Sequence, residues 1–310
     1  MKIRFFLGLL VGMLLGLGTT SMAQKDVYLF SSFRDNGQDG LHLAYSYDGY
    51  NWTALKKDSS FLSPTVSKDK LMRDPCILKG PDGYFHMVWT VSWNDLGIGY
   101  ARSKDLVHWS EQQFIPVMVN EPSTVNVWAP EIMYDDASKQ FVIIWASCIP
   151  KRFEKGIEDE ENNHRMYVTT TKDFKTFSPS RLFLDPKFSV IDAVIVPRKK
   201  DDYVLVLKDN TRPNRNIKVA FGKSATGEFS HVSEPFTKKF TEGPSVVTVG
   251  EEYLIYFDSY QSKTYEAMRT KDFETFEDVS KIVSVPEGHK HGTIFKVSHK
   301  VLKKLLSQPQ

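Results

Sequence analysis

The sequence predicts an all-β fold made of five small sheets arranged in a ring. Short runs of β-branched and aromatic residues, bounded by Gly, Asp and Pro, fill nearly the whole chain, whereas sustained helical periodicity is confined to its two ends. One phrase recurs along the chain, and the order of the strand-like segments indicates that the two ends meet. Together these observations predict a five-bladed β-propeller closed by its C-terminal strand.

The recurring phrase is a strand that ends in Ser/Thr-x-Asp, followed two to four residues later by an aromatic residue. It reads SYDGYNW, SKDLVHW, TKDFKTF and TKDFETF, with a degenerate copy, KSATGEF, between the last two. The closing aromatic residues follow one another at intervals of 47 to 68 residues. This is the spacing of propeller blades with added loops, and it is too long for a helical repeat.

Each unit contains two further strand-like segments. The first set reads RDPCILKG, APEIMYDD, IDAVIVPR, EGPSVVTV and HGTIFKVS, and the second reads YLFSSF, YFHMVWT, QFVIIWAS, DYVLVLKD and EYLIYFDS. The unit that begins at YLFSSF lacks an opening segment, while HGTIFKVS has no later partners. We therefore expect HGTIFKVS to be the innermost strand of the first blade, which removes the exposed sheet edges and makes residues 24–310 a single domain of four-stranded blades.

Residues 1–23 have the pattern of a secretory signal peptide. Lys2 and Arg4 precede the apolar run FFLGLLVGMLLGLG, which ends in the small residues TTSMA. The run is short of the roughly 20 residues that span a bilayer. We expect cleavage before Gln24 and an exported protein, periplasmic or extracellular, with no membrane span in the mature chain.

The balance of charged residues and the two cysteines indicate which partners and which cross-links to expect. Lys2 and Arg4 are two of the 40 basic residues, so 38 basic residues face 38 acidic ones in the mature chain. Such a balance argues against a nucleic-acid partner. The two cysteines, Cys76 and Cys148, lie in apolar strand patterns and are predicted to be free and buried.

The inner-strand segments carry the chemistry. When these segments are aligned, five residues occupy equivalent positions: Asp74, Ala129, Asp192, Gly243 and His291. Trp128 and Glu242 each precede that position by one residue in their own segments. Because equivalent positions of blades converge on one axis, Asp74, Asp192 and Glu242 are predicted to share one cavity. Crowding and desolvation raise carboxyl pKa values, so at least one of the three is expected to keep its proton near neutral pH. Acid–base cleavage of a glycosidic bond requires such a group.

The ordered motifs RDPCI, WAPEI, IDAVI, EGPSV and HGT resemble those of the family 43 glycoside hydrolases, over about residues 27 to 298. The resemblance implies a five-bladed propeller enzyme of the arabinofuranosidase or xylosidase type that inverts anomeric configuration. It implies Asp74 as the general base, Asp192 as the carboxylate that orients the acid and modulates its pKa, and Glu242 as the general acid. An inverting enzyme separates its acid and base carboxyl groups by roughly 6.5–9.5 Å.

The resemblance also bears on His291, which matches the channel histidine that this family often associates with a calcium ion or water beneath the sugar. We predict no required cofactor, and leave open a structural calcium ion in the channel beside a purely structural histidine. The other substrate-binding candidates are polar or aromatic neighbours of the carboxylates: Arg73, Trp93, Trp128, and one of Arg212 and Arg215 in the loop KDNTRPNRN. Core packing is the alternative for the tryptophans, and solvent exposure for the two loop arginines.

The predicted function is the removal of α-L-arabinofuranosyl units from plant oligosaccharides or polysaccharides by an exo-acting enzyme. A β-xylosidase or a galactan-cleaving enzyme of the same family is an alternative. SYDGYNW resembles the Asp-box of sialidases, but no arrangement of three pocket arginines is evident. A catalytically inert carbohydrate-binding propeller is the alternative from another class, and the three carboxylates argue against it because binding alone needs no proton donor opposite a base.

Overall fold

The structure, a computed structural model, describes residues 27–308 as five antiparallel sheets around a central channel. The prediction of an all-β five-bladed propeller is confirmed. The predicted signal peptide, residues 1–23, lies outside the described residues. No helix among the described residues is long and apolar enough to cross a membrane.

The strands follow one another in chain order from blade to blade. Blade 1 contains β1 (Val27–Ser32), β2 (His42–Ser46) and β3 (Thr53–Ala54). Blade 2 contains β4 (Arg73–Lys79), β5 (Phe85–Thr90), β6 (Ile98–Ser103) and β7 (Gln113–Ile115). Blade 3 contains β8 (Trp128–Asp135), β9 (Gln140–Cys148), β10 (His164–Thr171) and β11 (Arg181–Leu184). Blade 4 contains β12 (Val190–Lys199), β13 (Asp202–Asp209) and β14 (Asn216–Gly222), and blade 5 contains β15 (Glu242–Val249), β16 (Glu252–Ser259), β17 (Thr264–Thr270) and β18 (Glu277–Asp278).

The ring is closed by the C-terminal segment, as predicted. Strand β19 (Ile294–Val297) pairs antiparallel with β1, so that Val27 lies opposite Val297. The helix α1 (His299–Leu306) follows and buries Leu302 and Leu305 in the core between blades 1 and 2. Three short 3₁₀ helices lie in connections, at Lys56–Asp58, Glu160–Asn162 and Ser280–Ile282. Both ends of the described chain are therefore held by one sheet.

The recurring phrase is the turn between the third and fourth strands of a blade. In SKDLVHW, the Asp105 carboxylate accepts hydrogen bonds from the backbone N–H groups of Val107 (2.9 Å) and His108 (2.8 Å). The Ser103 hydroxyl oxygen accepts one from the N–H of Leu106 (2.8 Å). These local bonds satisfy the backbone of a tight turn, which explains why Ser/Thr and Asp recur at fixed spacing.

Blade 4 differs from the prediction of four strands in every blade. Its outer edge is an isolated bridge between Gly222 and Phe229, followed by a hydrogen bond from the N–H of Ser233 to the carbonyl of Val219. This is the blade with the degenerate phrase KSATGEF, in which Ala225 stands where the other copies have Asp. The turn thus lacks the carboxylate acceptor, and no regular fourth strand follows among the described residues.

The core lies between neighbouring blades. Trp89 and Trp145 are fully buried, and Trp145 packs in the cluster between blades 2 and 3. Cys76 and Cys148 are free and buried, which confirms that expectation. The apolar faces of the sheets therefore fix the blades against one another and leave the channel end to polar residues.

Candidate active site

The inner strands share one backbone feature at the channel end. In four of them the predicted equivalent residue has a positive φ: Asp74 (51°), Ala129 (45°), Asp192 (49°) and Gly243 (59°). The pairing of each of these strands with its neighbour shifts register at the same point. The feature is a β-bulge, which redirects a side chain next to a site. A left-handed conformation costs a non-glycine residue about 1–3 kcal/mol, so the surrounding structure must hold it in place.

Gly243 is the one glycine among these four residues, and the packing of His291 against it leaves no space for a side chain. A Cβ atom there would lie 2.6 Å from Cγ of His291. The fifth predicted position, His291, therefore packs directly on the bulge of blade 5. The absence of a side chain at Gly243 makes room for a histidine in the channel.

The bulges surround one cavity of about 250 Å³. Eight of the nine candidate residues from the sequence line it: Arg73, Asp74, Trp93, Trp128, Asp192, Arg215, Glu242 and His291. Arg212 does not. Its guanidinium faces Glu158 (3.3 Å) and Asp159 (2.9 Å) instead, so of the two loop arginines the structure brings only Arg215 to the cavity.

Asp74 is held by two partners. Its Oδ1 lies 3.2 Å from Nδ1 of His291, and its Oδ2 accepts a hydrogen bond from the Thr90 hydroxyl (2.9 Å). Burial alone raises the pKa of Asp74, but the hydrogen bond and charge of His291, with the charge of Arg73, outweigh it and hold that pKa below its usual value. Asp74 is therefore ionised at neutral pH, as a general base must be.

His291 carries the complementary charge. Burial lowers its pKa, but the hydrogen bond with Asp74 and the charges of Asp192, Asp74 and Glu131 raise it to about 9. The imidazole is thus protonated at neutral pH and donates to Asp74. It is a cation among carboxylates.

Asp192 interacts electrostatically with both of the other carboxylates. Its Oδ2 accepts a hydrogen bond from the N–H of Gly243 (3.1 Å). Burial raises its pKa, the charges of Glu242 and Asp74 add to that effect, and the charges of His291 and Lys208 oppose it, so that the net direction is upward. This is the direction expected for crowded carboxyl groups.

Glu242 contacts a buried lysine. Nζ of Lys208 lies 2.7 Å from Oε2 of Glu242 and 5.4 Å from the centre of the Tyr260 ring. Burial lowers the pKa of Lys208, and the charges of Glu242 and Asp192 overcome this and raise it. Lys208 therefore holds the Glu242 carboxyl group in position through a contact with one of its two oxygens, Oε2.

Two further carboxyl groups near the cavity were not predicted as site residues. Asp258 lies opposite Glu242 in the pairing of β15 with β16 and lines the cavity. Burial, followed by the charge of Glu242, raises its pKa to about 6. Glu131 is buried and does not line the cavity; it accepts hydrogen bonds from the Cys76 thiol (2.8 Å) and the Thr293 hydroxyl (3.4 Å). Burial raises its pKa to about 7.

A signal for some of these residues was present in the second strand segments. Thr90, Lys208 and Asp258 each pair with the residue just before the bulge of their blade. All three line the cavity. Aligning YFHMVWT, DYVLVLKD and EYLIYFDS by their C-terminal ends would have found them.

An aromatic wall borders the cavity. The guanidinium of Arg73 lies 4.7 Å from the Phe33 ring and 4.4 Å from the Trp93 ring, and it donates to Oδ1 of Asn36 (3.0 Å). Trp93 and Trp128 meet edge to face at 5.6 Å, and the side chain of Trp93 is 43% exposed. The stacking surface that a sugar ring requires is therefore available on this wall.

The residues around His291 do not form an evident calcium site. Among residues 27–308, no group of three or more His, Cys, Asp or Glu side chains is arranged to hold a metal ion. Nδ1 of His291 lies 3.2 Å from Oδ1 of Asp74 and is therefore not free to bind a metal ion. The predicted calcium ion stays a prediction, and no chemical step is derived through it.

A cavity of this kind, with carboxyl groups from several blades at one end of a five-bladed propeller, is typical of propeller glycosidases. Residues 24–302 match the family 43-related glycosyl hydrolases, described as "Probable glycosyl hydrolase domain", and the chain belongs to that family. None of the curated proteins compared with the chain matches it.

Solved structures with a similar fold include three enzymes. An α-L-arabinofuranosidase from Lactobacillus brevis is 19% identical, with a TM-score of 0.52 over 67% of this chain and 72% of that one. An exo-β-1,3-galactanase from Clostridium thermocellum is 15% identical, with a TM-score of 0.53 over 69% of this chain and 50% of that one. A Hadza microbial sialidase is 13% identical, with a TM-score of 0.55 over 83% of this chain and 70% of that one. At these identities the likeness concerns the fold.

Proposed function

We propose that this protein is an inverting, exo-acting glycosidase that removes α-L-arabinofuranosyl units from plant-type oligosaccharides or polysaccharides. The observation that carries the proposal is that Asp74, Asp192 and Glu242, from three different blades, line one cavity. The predicted signal peptide supports an exported enzyme.

In the proposed reaction Asp74 removes a proton from a water molecule, whose oxygen attacks the anomeric carbon. The glycosidic bond breaks, and Glu242 delivers a proton to the departing oxygen. The low pKa of Asp74 suits the first role. Lys208 contacts Oε2 of Glu242, which leaves Oε1 to face the leaving group. Asp192 accepts a hydrogen bond from the N–H of Gly243, the residue after Glu242, and so helps to fix the backbone at the proposed acid.

Asp258 is a second candidate for the proton donor. It lines the same cavity, lies opposite Glu242 across the strand pair, and has a pKa raised to about 6 by burial and the charge of Glu242. A carboxyl group with such a pKa retains part of its protons near neutral pH. The two candidates are distinguished by their dependence on the leaving group.

The small cavity supports exo action. Its volume of about 250 Å³ lies below the roughly 300–1,000 Å³ of drug-sized ligand pockets, which suits a terminal sugar. The arabinofuranosidase among the structural neighbours agrees with the proposed sugar. The exo-β-1,3-galactanase neighbour keeps galactan cleavage as the second candidate, beside a β-xylosidase.

A panel of aryl glycosides tests the proposal. We expect turnover of an α-L-arabinofuranoside, with NMR of the first product showing inverted configuration at the anomeric carbon. Turnover of a xyloside, a galactoside or a sialoside instead would reassign the sugar. Sugar binding without turnover of any glycoside would support an inert binding propeller.

A further inference from the structure

Two cations that line the cavity, Arg215 and Lys290, have no side-chain hydrogen bond or ion pair within residues 27–308. The charge of Lys290 acts on Asp258 from beyond ion-pair distance. The Nε of Arg215 is buried without an acceptor. A buried donor left without a partner is unfavourable, so its presence in a cavity indicates that a bound molecule supplies the acceptor.

The remaining cations of the cavity are engaged. His291 pairs with Asp74, and Lys208 pairs with Glu242. Arg73 stacks on aromatic rings and donates to a side-chain amide. Arg215 and Lys290 are therefore the two lining cations that take part in none of these contacts.

The carboxyl groups that remain do not balance these two cations. Asp192 and Asp258 are the lining carboxyl groups outside the two ion pairs, and burial raises the pKa of both. The lining contains five basic side chains, Arg73, Lys208, Arg215, Lys290 and His291, against four carboxyl groups. With His291 protonated, positive charge is therefore in excess even when every lining carboxyl group is ionised.

Arg215 and Lys290 each interact with the strand pair that carries Glu242 and Asp258. The carbonyl of Arg215 accepts a hydrogen bond from the N–H of Thr241 (3.0 Å), the residue just before Glu242. Lys290 precedes His291, and its charge acts on Asp258, which lies opposite Glu242. Both cations are therefore linked to the strand pair β15–β16, which carries the candidate proton donor.

We propose that Arg215 and Lys290 bind an anionic group, a carboxylate or a sulfate ester, on the sugar that leaves when the bond is cleaved. The position on the leaving sugar rests on the proposed function, because Glu242 as the acid defines the leaving side; the anion site itself does not. A guanidinium binds the oxygens of a carboxylate or sulfate through paired hydrogen bonds, and an ammonium adds a point charge. Neutral hydroxyl groups would leave two partly buried charges uncompensated.

Binding, measured separately from turnover, tests the inference. The probes are D-galacturonic acid, D-galactose 6-sulfate and neutral D-galactose, titrated calorimetrically into the full protein. We expect at least one anionic sugar to bind about tenfold or more tightly than galactose, the effect of one hydrogen bond to a charged group, with a difference that shrinks as salt rises. The two anionic probes distinguish a uronic acid from a sulfated sugar.

Variants locate the effect. Arg215→Gln and Lys290→Gln should each reduce the ratio of anionic to neutral binding about tenfold. Arg215→Lys should retain part of the preference because it keeps the charge but loses the paired geometry. Lys175→Gln removes one exposed charge from the outer turn of blade 3 and should leave the ratio unchanged.

Several outcomes would overturn the inference: equal binding of galacturonic acid, the sulfated sugar and galactose, no binding of any of them, or an anion preference that survives both glutamine variants. A failure of the proposed function has another signature. Anion-selective binding that depends on Arg215 and Lys290, in a protein that cleaves no glycoside, would uphold the anion site and refute the glycosidase assignment.

Discussion

Nδ1 of His291 lies 3.2 Å from Oδ1 of Asp74, and their side chains are 8% and 14% exposed. Asp74 lies in the inner strand of blade 2 and His291 just before the final strand, and each shifts the pKa of the other. His291 lowers the pKa of Asp74 against the effect of burial, and Asp74 raises the pKa of His291. The charge state of the candidate base is therefore set by a residue that follows it by most of the sequence.

Replacing His291 by Gln removes this cation. The pKa of Asp74 should then rise, so Asp74 becomes protonated at a higher pH than in the parent. The acidic limb of the profile of kcat/KM against pH should move to higher pH, with activity lost first under acidic conditions. The matched control His231→Gln alters an exposed histidine and should leave the profile unchanged. If the acidic limb of the His291→Gln profile does not move, ionisation of Asp74 does not set the acidic limb.

Asp74→Asn tests the base itself. The substitution keeps the size of the side chain and removes the proton acceptor, so turnover should fall by about 10²–10⁴-fold or more. Binding of the product sugar, followed by calorimetry, should persist. Asp201→Asn, in an exposed turn, is the control and should retain full activity. A variant at Asp74 with the parent rate would reassign the base to another group.

Glu242→Gln and Asp258→Asn distinguish the two candidate proton donors. Loss of the donor should slow substrates with natural sugar leaving groups about 10²-fold or more, and spare aryl substrates whose leaving groups need no proton. We expect this contrast for Glu242→Gln and a smaller, uniform loss for Asp258→Asn. The exposed Glu251→Gln serves as control. The opposite pattern would make Asp258 the acid.

Gly243→Ala should damage the site more than the fold. The new methyl group would meet His291 at 2.6 Å, and a residue with a side chain is strained at a φ of 59°. We expect a loss of about 1–3 kcal/mol in the free energy of unfolding, measured with urea, together with a large fall in kcat. Parent-like activity in this variant would show that His291 can move without consequence.

Asp48→Ala tests the recurring turn in blade 1. The Asp48 carboxylate accepts hydrogen bonds from the N–H groups of Tyr50 and Asn51, both at 2.8 Å. Removing these acceptors should destabilise the protein by about 1 kcal/mol in urea unfolding. Asp48→Asn keeps one acceptor oxygen and should cost less. An equal loss in both variants would point to charge in place of hydrogen bonding.

The same residue predicts a dependence on pH. Burial opposes ionisation of Asp48, but its hydrogen bonds with Asn51, Tyr50 and Ser46 lower the pKa from 3.8 to about 2. A lowered pKa in the folded state adds stability that is fully present above pH 3.8 and is lost as the pH falls through about 2. Asp48→Ala should therefore differ less from the parent in strong acid than at neutral pH. Because the carboxylate is exposed, the effect is small.

Periodicity predicted much of the architecture, because each blade repeats the same pairing and the same turn. The alignment of Asp74, Ala129, Asp192 and Gly243 identified the four bulged positions. The residue types at these positions did not indicate that the strands bulge there. The irregular edge of blade 4 coincides with the copy that lacks Asp, so the sequence contained a sign of it.

The cavity was predicted less completely. Lys208 and Asp258 reach it from second strands, and a search confined to inner strands could not include them. Arg212 and Arg215 lie in one polar loop, and only the path of that loop decides that Arg212 pairs with Glu158 while Arg215 turns inward. Loop geometry of this kind depends on tertiary contacts and leaves no periodic trace.

The pairing of β19 with β1 has a consequence for biosynthesis. The strand that completes blade 1 is synthesised after all the other strands of the described chain, and His291 just ahead of it. A nascent chain that has already made Asp74, Asp192 and Glu242 still lacks the imidazolium and an intact ring. Hydrolytic competence should thus appear only once β19 has been made, and chains that stop before β19 should be inert.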